Sequence, residues 1–116
     1  MNTLQFQRKL ARSPAYVQTR RQTFIVRLEH GLHARPCALL VKTLRPFRSR
    51  IEIAANGEVA NGHSIMSLMA LAAGYQSKIT FAITGEDAPQ AMTAVERLFE
   101  TDFADAYHHA SIAASV

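Results

Sequence analysis

Residues 23–44, TFIVRLEHGLHARPCALLVKTL, carry two different hydrophobic periods within one short stretch. Every second residue from Phe24 to Leu28 is apolar, which is the period of a strand with one face better buried than the other. Gly31 interrupts this pattern. From Ala34 onward the apolar residues recur at helical spacing, and they are Cys37, Leu40, Val41 and Leu44. The stretch therefore predicts a strand followed directly by a helix that ends at Leu44.

Three further strands are predicted downstream of this unit. Alternating apolar residues indicate strands over residues 50–54 and 58–60, and the dipeptide Asn56-Gly57 between them favours a tight hairpin turn. Residues 78–84 alternate in the same way. These three strands and the first give a sheet of four.

Two further helices are expected after polar residues that can cap them. Ser64 precedes an apolar set that begins at Ile65, and Asp87 precedes Pro89, which is tolerated in a first helical turn. We expect the last helix to place four residues on one face, namely Ala91, Val95, Leu98 and Asp102. The order βαββαβα indicates an α+β fold, a two-layer open-faced β-sandwich whose four-stranded antiparallel sheet is covered on one side by three helices.

The composition is that of one small domain. The length of 116 residues suffices for a core without disulfide or metal staples. Cys37 is the single cysteine and cannot form an internal disulfide, which suits a reducing compartment. No apolar run has the length needed to cross a bilayer, and the N-terminus lacks the apolar stretch of a signal peptide. We therefore expect a cytoplasmic protein without membrane insertion.

The net charge of +4 is concentrated at the start of the chain. Residues 1–28 hold six basic residues and no acid, whereas the remainder holds seven basic and nine acidic residues. The chain is accordingly divided into a basic N-terminal extension over 1–22, a domain over 23–103 and a C-terminal extension over 104–116. An Arg-rich, acid-poor start also resembles an organelle transit peptide.

Three residues around the predicted start of the first helix suit phosphate chemistry. His33 lies beside the helix start, Arg35 follows two residues later, and Pro36 fits the first turn. Free amides and the positive end of the helix dipole favour an anion there, and an arginine can add charge-assisted hydrogen bonds. Neutral imidazole is a nucleophile near physiological pH, so His33 is the candidate site of transfer and Arg35 its partner.

Two segments resemble the bacterial histidine-containing phosphocarrier (HPr) family. They are Gly31-Leu32-His33-Ala34-Arg35-Pro36 and Ser64-Ile65-Met66-Ser67-Leu68-Met69-Ala70-Leu71. The resemblance covers about residues 23–103 and implies a phosphoryl carrier that needs no cofactor. It implies that His33 accepts phosphate from a phosphoenolpyruvate-dependent donor of the enzyme I type. The acceptor would be a sugar-permease subunit of the enzyme IIA type or a regulatory protein.

Ser64 is a second candidate site. Its structural role would be that of a helix N-cap. The resemblance implies regulatory phosphorylation there by a serine kinase, reversed by a phosphorylase. Ile65, Met66 and Met69 border this serine, and we expect the short helix to divide its apolar residues between the core and a docking patch for partners.

Alternative functions remain open at this point. The same fold could serve as a regulatory binding module that acts through Ser64 without transferring phosphate to a permease. Nucleic-acid binding by the basic arm is disfavoured because aromatic and basic residues are not interleaved. A metal site is also not expected, because no three ligands have convincing spacing among the histidines His30, His33, His108 and His109.

Overall fold

The computed structural model describes residues 2–3 and 18–107 of the chain. The strands are β1 (Thr19–Ile25), β2 (Arg50–Ala55), β3 (Glu58–Asn61) and β4 (Lys78–Thr84). The helices are α1 (Ala34–Leu44), α2 (Ile65–Ala70) and α3 (Ala88–Glu100). The predicted order of elements and the bounds predicted for α1 and β4 are confirmed.

The four strands form one antiparallel sheet in the order β1-β4-β2-β3. Phe81 on β4 lies opposite Gln22 of β1 and opposite Ile53 of β2. The hairpin of β2 and β3 pairs Ile53 with Ala60. The helices pack on one side of this sheet, which confirms the open-faced sandwich.

Alternation along the strands separates a buried face from an open one. On β2 and β4 the inward residues are all buried, and the largest are Ile51, Ile53, Ile79, Phe81 and Ile83, whereas Phe24 on the edge strand β1 is half-buried. On the open face, the hydroxyls of Thr23 and Thr80 lie 2.8 Å apart across β1 and β4. The period of two therefore decides which side of the sheet the helices cover.

The bounds predicted for the first strand are wrong. β1 begins at Thr19 rather than Thr23 and ends at Ile25 rather than near Leu28. Its length follows from its partner, because β1 pairs residue for residue with the whole of β4. The predicted N-terminal extension over 1–22 thus contains the start of the sheet.

The capping role predicted for the Asp87 side chain is also wrong. The residue is the N-cap of α3, but its side chain makes no cap hydrogen bond. Its carboxylate instead accepts from the Ser49 hydroxyl and from the backbone amides of Arg48 at 2.9 Å and Ser49 at 3.0 Å. These bonds, the Ser49 hydroxyl foremost, hold the pKa of Asp87 below its ordinary value of 3.8. The carboxylate joins α3 to the loop before β2.

Asp102 does not extend the buried face of α3. The helix ends at Glu100, and Asp102 has a φ of +48°, so the chain turns away there. The exposed Asp102 carboxylate pairs with Arg27 at 3.1 Å. The next residue, Phe103, is buried and meets the ring of Phe99 edge-on with centroids 5.0 Å apart. A short helical turn over residues 104–107 follows.

Candidate functional site

The N-terminus of α1 presents the His33 side chain and two backbone amides. His33 is the N-cap, its backbone is extended, and its side chain makes no cap hydrogen bond. Its carbonyl accepts from the Cys37 amide at 3.0 Å, which closes the first turn. Among the described residues, the amides of Ala34 and Arg35 have no acceptor, and Pro36 has no amide hydrogen. Two donors therefore point out of the helix beside the imidazole.

The imidazole of His33 is half-buried and has two aromatic neighbours, Tyr107 and His30. The hydroxyl of Tyr107 lies 3.0 Å from its Nε2 atom. The ring of His30 approaches edge-on, with centroids 6.2 Å apart. These three residues line a cleft of about 280 Å³ together with Leu28 and Glu29. The nitrogen without a partner among the described residues is Nδ1.

Arg35 is the second residue of α1 and is exposed to solvent. The ion pairs in the described part of the chain join Arg27 to Asp102 and Arg50 to Glu52, so no carboxylate there neutralises Arg35. Its guanidinium shares the first turn of the helix with His33. The positive charge is therefore available to an anion at this helix end.

A tight loop holds His33 in place. Gly31 has a φ of +70°, and a Cβ atom added to it would lie 2.5 Å from the carbonyl oxygen of Ala73. The next residue, Leu32, donates its amide to the same oxygen at 2.8 Å. The loop before α1 is thus joined to the segment after α2, and a side chain at position 31 would separate them.

Ser64 lies at the opposite end of α1 from His33. Nε2 of the adjacent His63 lies 3.2 Å from the Leu44 carbonyl and 3.1 Å from the Phe47 carbonyl, so it donates to the C-terminal end of α1. An 11-residue helix is about 16 Å long. The two candidate phosphorylation sites are therefore about one helix length apart.

The predicted N-cap role of Ser64 is confirmed. Its half-buried Oγ atom accepts from the Ser67 amide at 3.2 Å. Along α2, Leu68 is buried, Ile65 is half-buried, and Met66 and Met69 are 76% and 42% exposed. The helix divides its apolar residues between the core and the surface, as expected, while the docking role of the surface residues stays a prediction.

Cys37 is a packing residue in the first turn of α1. Its thiol is fully buried and donates to the Leu32 carbonyl at 3.3 Å. Burial raises the pKa of this thiol to about 11. The sulfur therefore stays protonated near neutral pH and supports the loop that carries His33.

Tyr107 is the site residue that sequence reasoning missed. It lies in the predicted C-terminal extension, and its contact with His33 joins residues 74 positions apart. The only local indication was the four-residue spacing from Phe103, which is typical of one helix face. That spacing indicates that Phe103 and Tyr107 lie on the same face of the turn. It does not indicate that Tyr107 contacts His33.

Two other expectations concern metal binding and membrane insertion. No group of three histidine, cysteine or acidic residues within the described part of the chain is placed to hold a metal. His108 and His109 lie outside the described residues. No helix among those described has the length and apolar character needed to span a membrane.

A family model described as the PTS HPr component phosphorylation site matches residues 20–101. The chain belongs to the PTS HPr family. PTS denotes the phosphoenolpyruvate-dependent sugar phosphotransferase system. The match of this family model confirms the HPr resemblance of the two sequence segments. The match begins inside β1 and includes His33, Arg35 and Ser64.

Named HPr relatives cover the same region. The phosphocarrier protein HPr of Treponema pallidum is 41% identical over 73 residues, which are 63% of this chain and 83% of that protein. The multiphosphoryl transfer protein of Salmonella typhimurium is 44% identical over 75 residues, 62% of this chain. The chain spans only 20% of the length of that larger relative.

Solved HPr structures share the fold. HPr-C-His from Thermoanaerobacter tengcongensis aligns with a TM-score of 0.70 and 32% sequence identity. The alignment covers 73% of this chain and 96% of that one. The four-stranded sheet and its helices are therefore the HPr arrangement.

Proposed function

We propose that this HPr-family chain carries a phosphoryl group on His33. It accepts the group from a phosphoenolpyruvate-dependent donor of the enzyme I type. It passes the group to a permease subunit of the enzyme IIA type or to a regulatory acceptor. The observation that carries the proposal is the half-buried imidazole at the N-terminus of α1, beside the amides of Ala34 and Arg35, which have no acceptor in the described part of the chain.

The nitrogen assigned to the transfer is Nδ1 of His33. Nε2 is hydrogen-bonded to the Tyr107 hydroxyl at 3.0 Å, so Nδ1 is the ring nitrogen that is free to attack phosphorus. Its lone pair forms the bond to phosphorus as the bond between phosphorus and the donor breaks. The unpaired amides and the positive end of α1 favour the charge on the transferred group.

Arg35 is assigned to the phosphoryl oxygens. Its guanidinium has no carboxylate partner in the described part of the chain, so no ion pair has to break when phosphate arrives. Charge-assisted hydrogen bonds from a guanidinium are about twice as strong as neutral ones. The residue should therefore increase the rate of transfer and contribute little to folding.

We assign partner docking to the exposed side of α2. Met66 and Met69 are the exposed apolar residues there, and Ile65 is half-buried beside them. α2 runs from Ser64 towards Ala73, whose carbonyl contacts the loop before His33. A partner that covers this surface would reach both candidate phosphorylation sites. Methionine suits such a surface because its flexible side chain adapts to different partners.

We assign Ser64 to regulation by a serine kinase and a phosphorylase. A phosphate there adds close to two negative charges and three acceptor oxygens, at the edge of the docking surface. The amide of Ser67 could still donate to it, so the helix would persist. The expected effect is weaker docking of an acidic partner rather than unfolding.

The alternative function is a regulatory binding module that uses Ser64 and transfers nothing to a permease. The arrangement at His33 favours the carrier, because a pure binding module has no need of an imidazole beside unpaired amides. We place the chain in the cytoplasm, where the buried Cys37 thiol would stay reduced.

Onward transfer separates the two functions. The chain would be phosphorylated with radiolabelled phosphoenolpyruvate and a catalytic amount of purified enzyme I, isolated, and mixed with a purified enzyme IIA-type domain. A carrier loses its label as the acceptor gains it. Label that stays on the chain with acceptors of several sugar classes would favour the binding module instead.

A further inference from the structure

The segment after α3 is anchored so that it returns to the phosphorylation site. The Phe103 amide donates to the Leu98 carbonyl at 2.7 Å, and the Phe103 ring is 1% exposed against Phe99. Ala106 packs against the same core. Arg27 pairs with Asp102 at the start of the turn, at 3.1 Å. Residues 104–107 therefore have a defined position.

Tyr107 ends this anchored turn and contacts His33. Its hydroxyl oxygen lies 3.0 Å from Nε2, and the two ring centroids are 6.3 Å apart. Among the described residues, Tyr107 is the one hydrogen-bond partner of the His33 side chain. The contact is made at Nε2, so Nδ1 has no partner among the described residues and stays available to a phosphoryl donor.

We propose that Tyr107 is a positioning residue that selects the reactive tautomer of His33. A neutral imidazole carries its hydrogen on one nitrogen and its lone pair on the other. When the Tyr107 oxygen accepts from Nε2–H, the lone pair is held on Nδ1. This inference rests on the proposed function and deepens it, because it assigns the choice of nucleophilic nitrogen to a residue of the C-terminal segment.

The same hydrogen bond supports the transfer step. As Nδ1 forms its bond to phosphorus, the bond from phosphorus to the donor breaks and its electron pair leaves with the donor. Nε2 keeps its hydrogen, so the ring gains positive charge and its bond to the Tyr107 oxygen becomes charge-assisted. When the phosphoryl group moves on, the electrons of the Nδ1–P bond return to the ring.

The first test reads the tautomer without any transfer reaction. Full-length protein labelled with ¹⁵N on histidine would be studied by long-range ¹H–¹⁵N correlation spectra above neutral pH, as wild type and Tyr107→Phe. The wild-type His33 ring should carry its hydrogen on Nε2, and the variant should show an increased Nδ1–H population. Tyr75→Phe, at an exposed tyrosine without a hydrogen bond to His33, is the matched control and should match wild type.

The second test measures the intrinsic reactivity of His33. Potassium phosphoramidate is a small phosphoryl donor whose ammonia leaves with the electron pair of the broken P–N bond, so no docking surface is involved. Tyr107→Phe should be labelled roughly three- to tenfold more slowly than wild type, the range expected from loss of one hydrogen bond. Tyr75→Phe should be labelled at the wild-type rate.

The outcomes separate the inference from the function on which it rests. The positioning role would be overturned if Tyr107→Phe kept the wild-type tautomer or the wild-type labelling rate. Faster labelling of the variant would also overturn it and would indicate that Tyr107 restricts access to His33. If wild-type His33 takes no label from phosphoramidate or from enzyme I, the proposed function fails and the inference fails with it.

Discussion

Gly31→Ala tests the tight loop that holds His33. Its φ of +70° is unfavourable for alanine and costs about 1–2 kcal/mol. The new Cβ would also lie 2.5 Å from the Ala73 oxygen and 2.8 Å from the Gly74 Cα. The two segments must separate to relieve these contacts, which stretches the 2.8 Å hydrogen bond from Leu32 to Ala73 and costs about 1 kcal/mol more. The sum predicts a loss of about 2–3 kcal/mol of unfolding free energy.

Gly57→Ala is the matched control for the backbone cost. Gly57 also has a positive φ, +78°, but nothing lies within 4 Å of a Cβ added there. Both substitutions change the entropy of the unfolded chain in the same way, so this contribution cancels between them. The control should lose only the conformational cost of about 1–2 kcal/mol.

Urea unfolding followed by circular dichroism would measure both variants, since the chain has no tryptophan to serve as a fluorescence probe. Labelling of His33 by phosphoramidate would be measured under native conditions. Gly31→Ala should be the less stable variant and should also be labelled more slowly, because its loop carries His33. Equal unfolding free energies within about 0.5 kcal/mol would refute the reasoning from the close approach.

Substitutions at four further positions have definite expected outcomes. Arg35→Ala should slow transfer from enzyme I roughly 10- to 100-fold with an unchanged thermal midpoint, and Arg35→Lys should restore only part of the rate. Asp87→Asn should lower the unfolding free energy by about 1 kcal/mol at pH 7. Because the folded pKa of Asp87 is lowered, this difference should persist down to about pH 4 and vanish in more acidic urea titrations. Met66→Ala should raise the KM for enzyme I without changing labelling by phosphoramidate. Ser64→Asp should slow transfer from enzyme I with near-native stability, and added salt should partly relieve the effect.

Matched controls decide each of these outcomes. Arg45→Ala removes a charge from the other end of α1 and should leave transfer unchanged, so equal effects at both ends would remove Arg35 from the mechanism. Glu86→Gln removes the neighbouring carboxylate, which makes no hydrogen bond to the loop before β2 in the described part of the chain, so an equal loss of stability there would contradict the role of the Asp87 contacts. Val59→Ala tests an exposed apolar residue on β3, and an equal rise in KM there would contradict docking at α2. Ser64→Ala loses the cap without adding charge, so salt should change its transfer rate no more than that of wild type.

Local sequence patterns predicted the elements whose ends are set locally. α1 lies between the break at Gly31 and its last apolar residue, Leu44, and its bounds are those predicted. The bounds of β1 were missed because the pairing with β4 extends the strand back to Thr19, through residues without strand alternation.

The candidate site was likewise predicted only where local sequence defines it. The motif placed His33 and Arg35 at a helix N-terminus, which the structure confirms, because three neighbouring residues suffice to define that end. The contact with Tyr107 depends on the turn after α3 and on the burial of Phe103. The direction of that turn follows from the positive φ values of Asp102 and Phe103. A positive φ is uncommon outside glycine, and no residue preference predicts one for phenylalanine.

The acid and base stability of the phosphoryl label on wild type and variants tests the central claim most directly. The full chain, His33→Ala and the neighbouring His30→Ala would each be incubated with phosphoenolpyruvate and purified enzyme I, then divided between acid and base. Wild type and His30→Ala should carry a label that acid removes and base spares, as expected for a phosphorus–nitrogen bond, and His33→Ala should carry none. Acid-labile label on His33→Ala, or acid-stable label on wild type, would contradict phosphoryl carriage on His33.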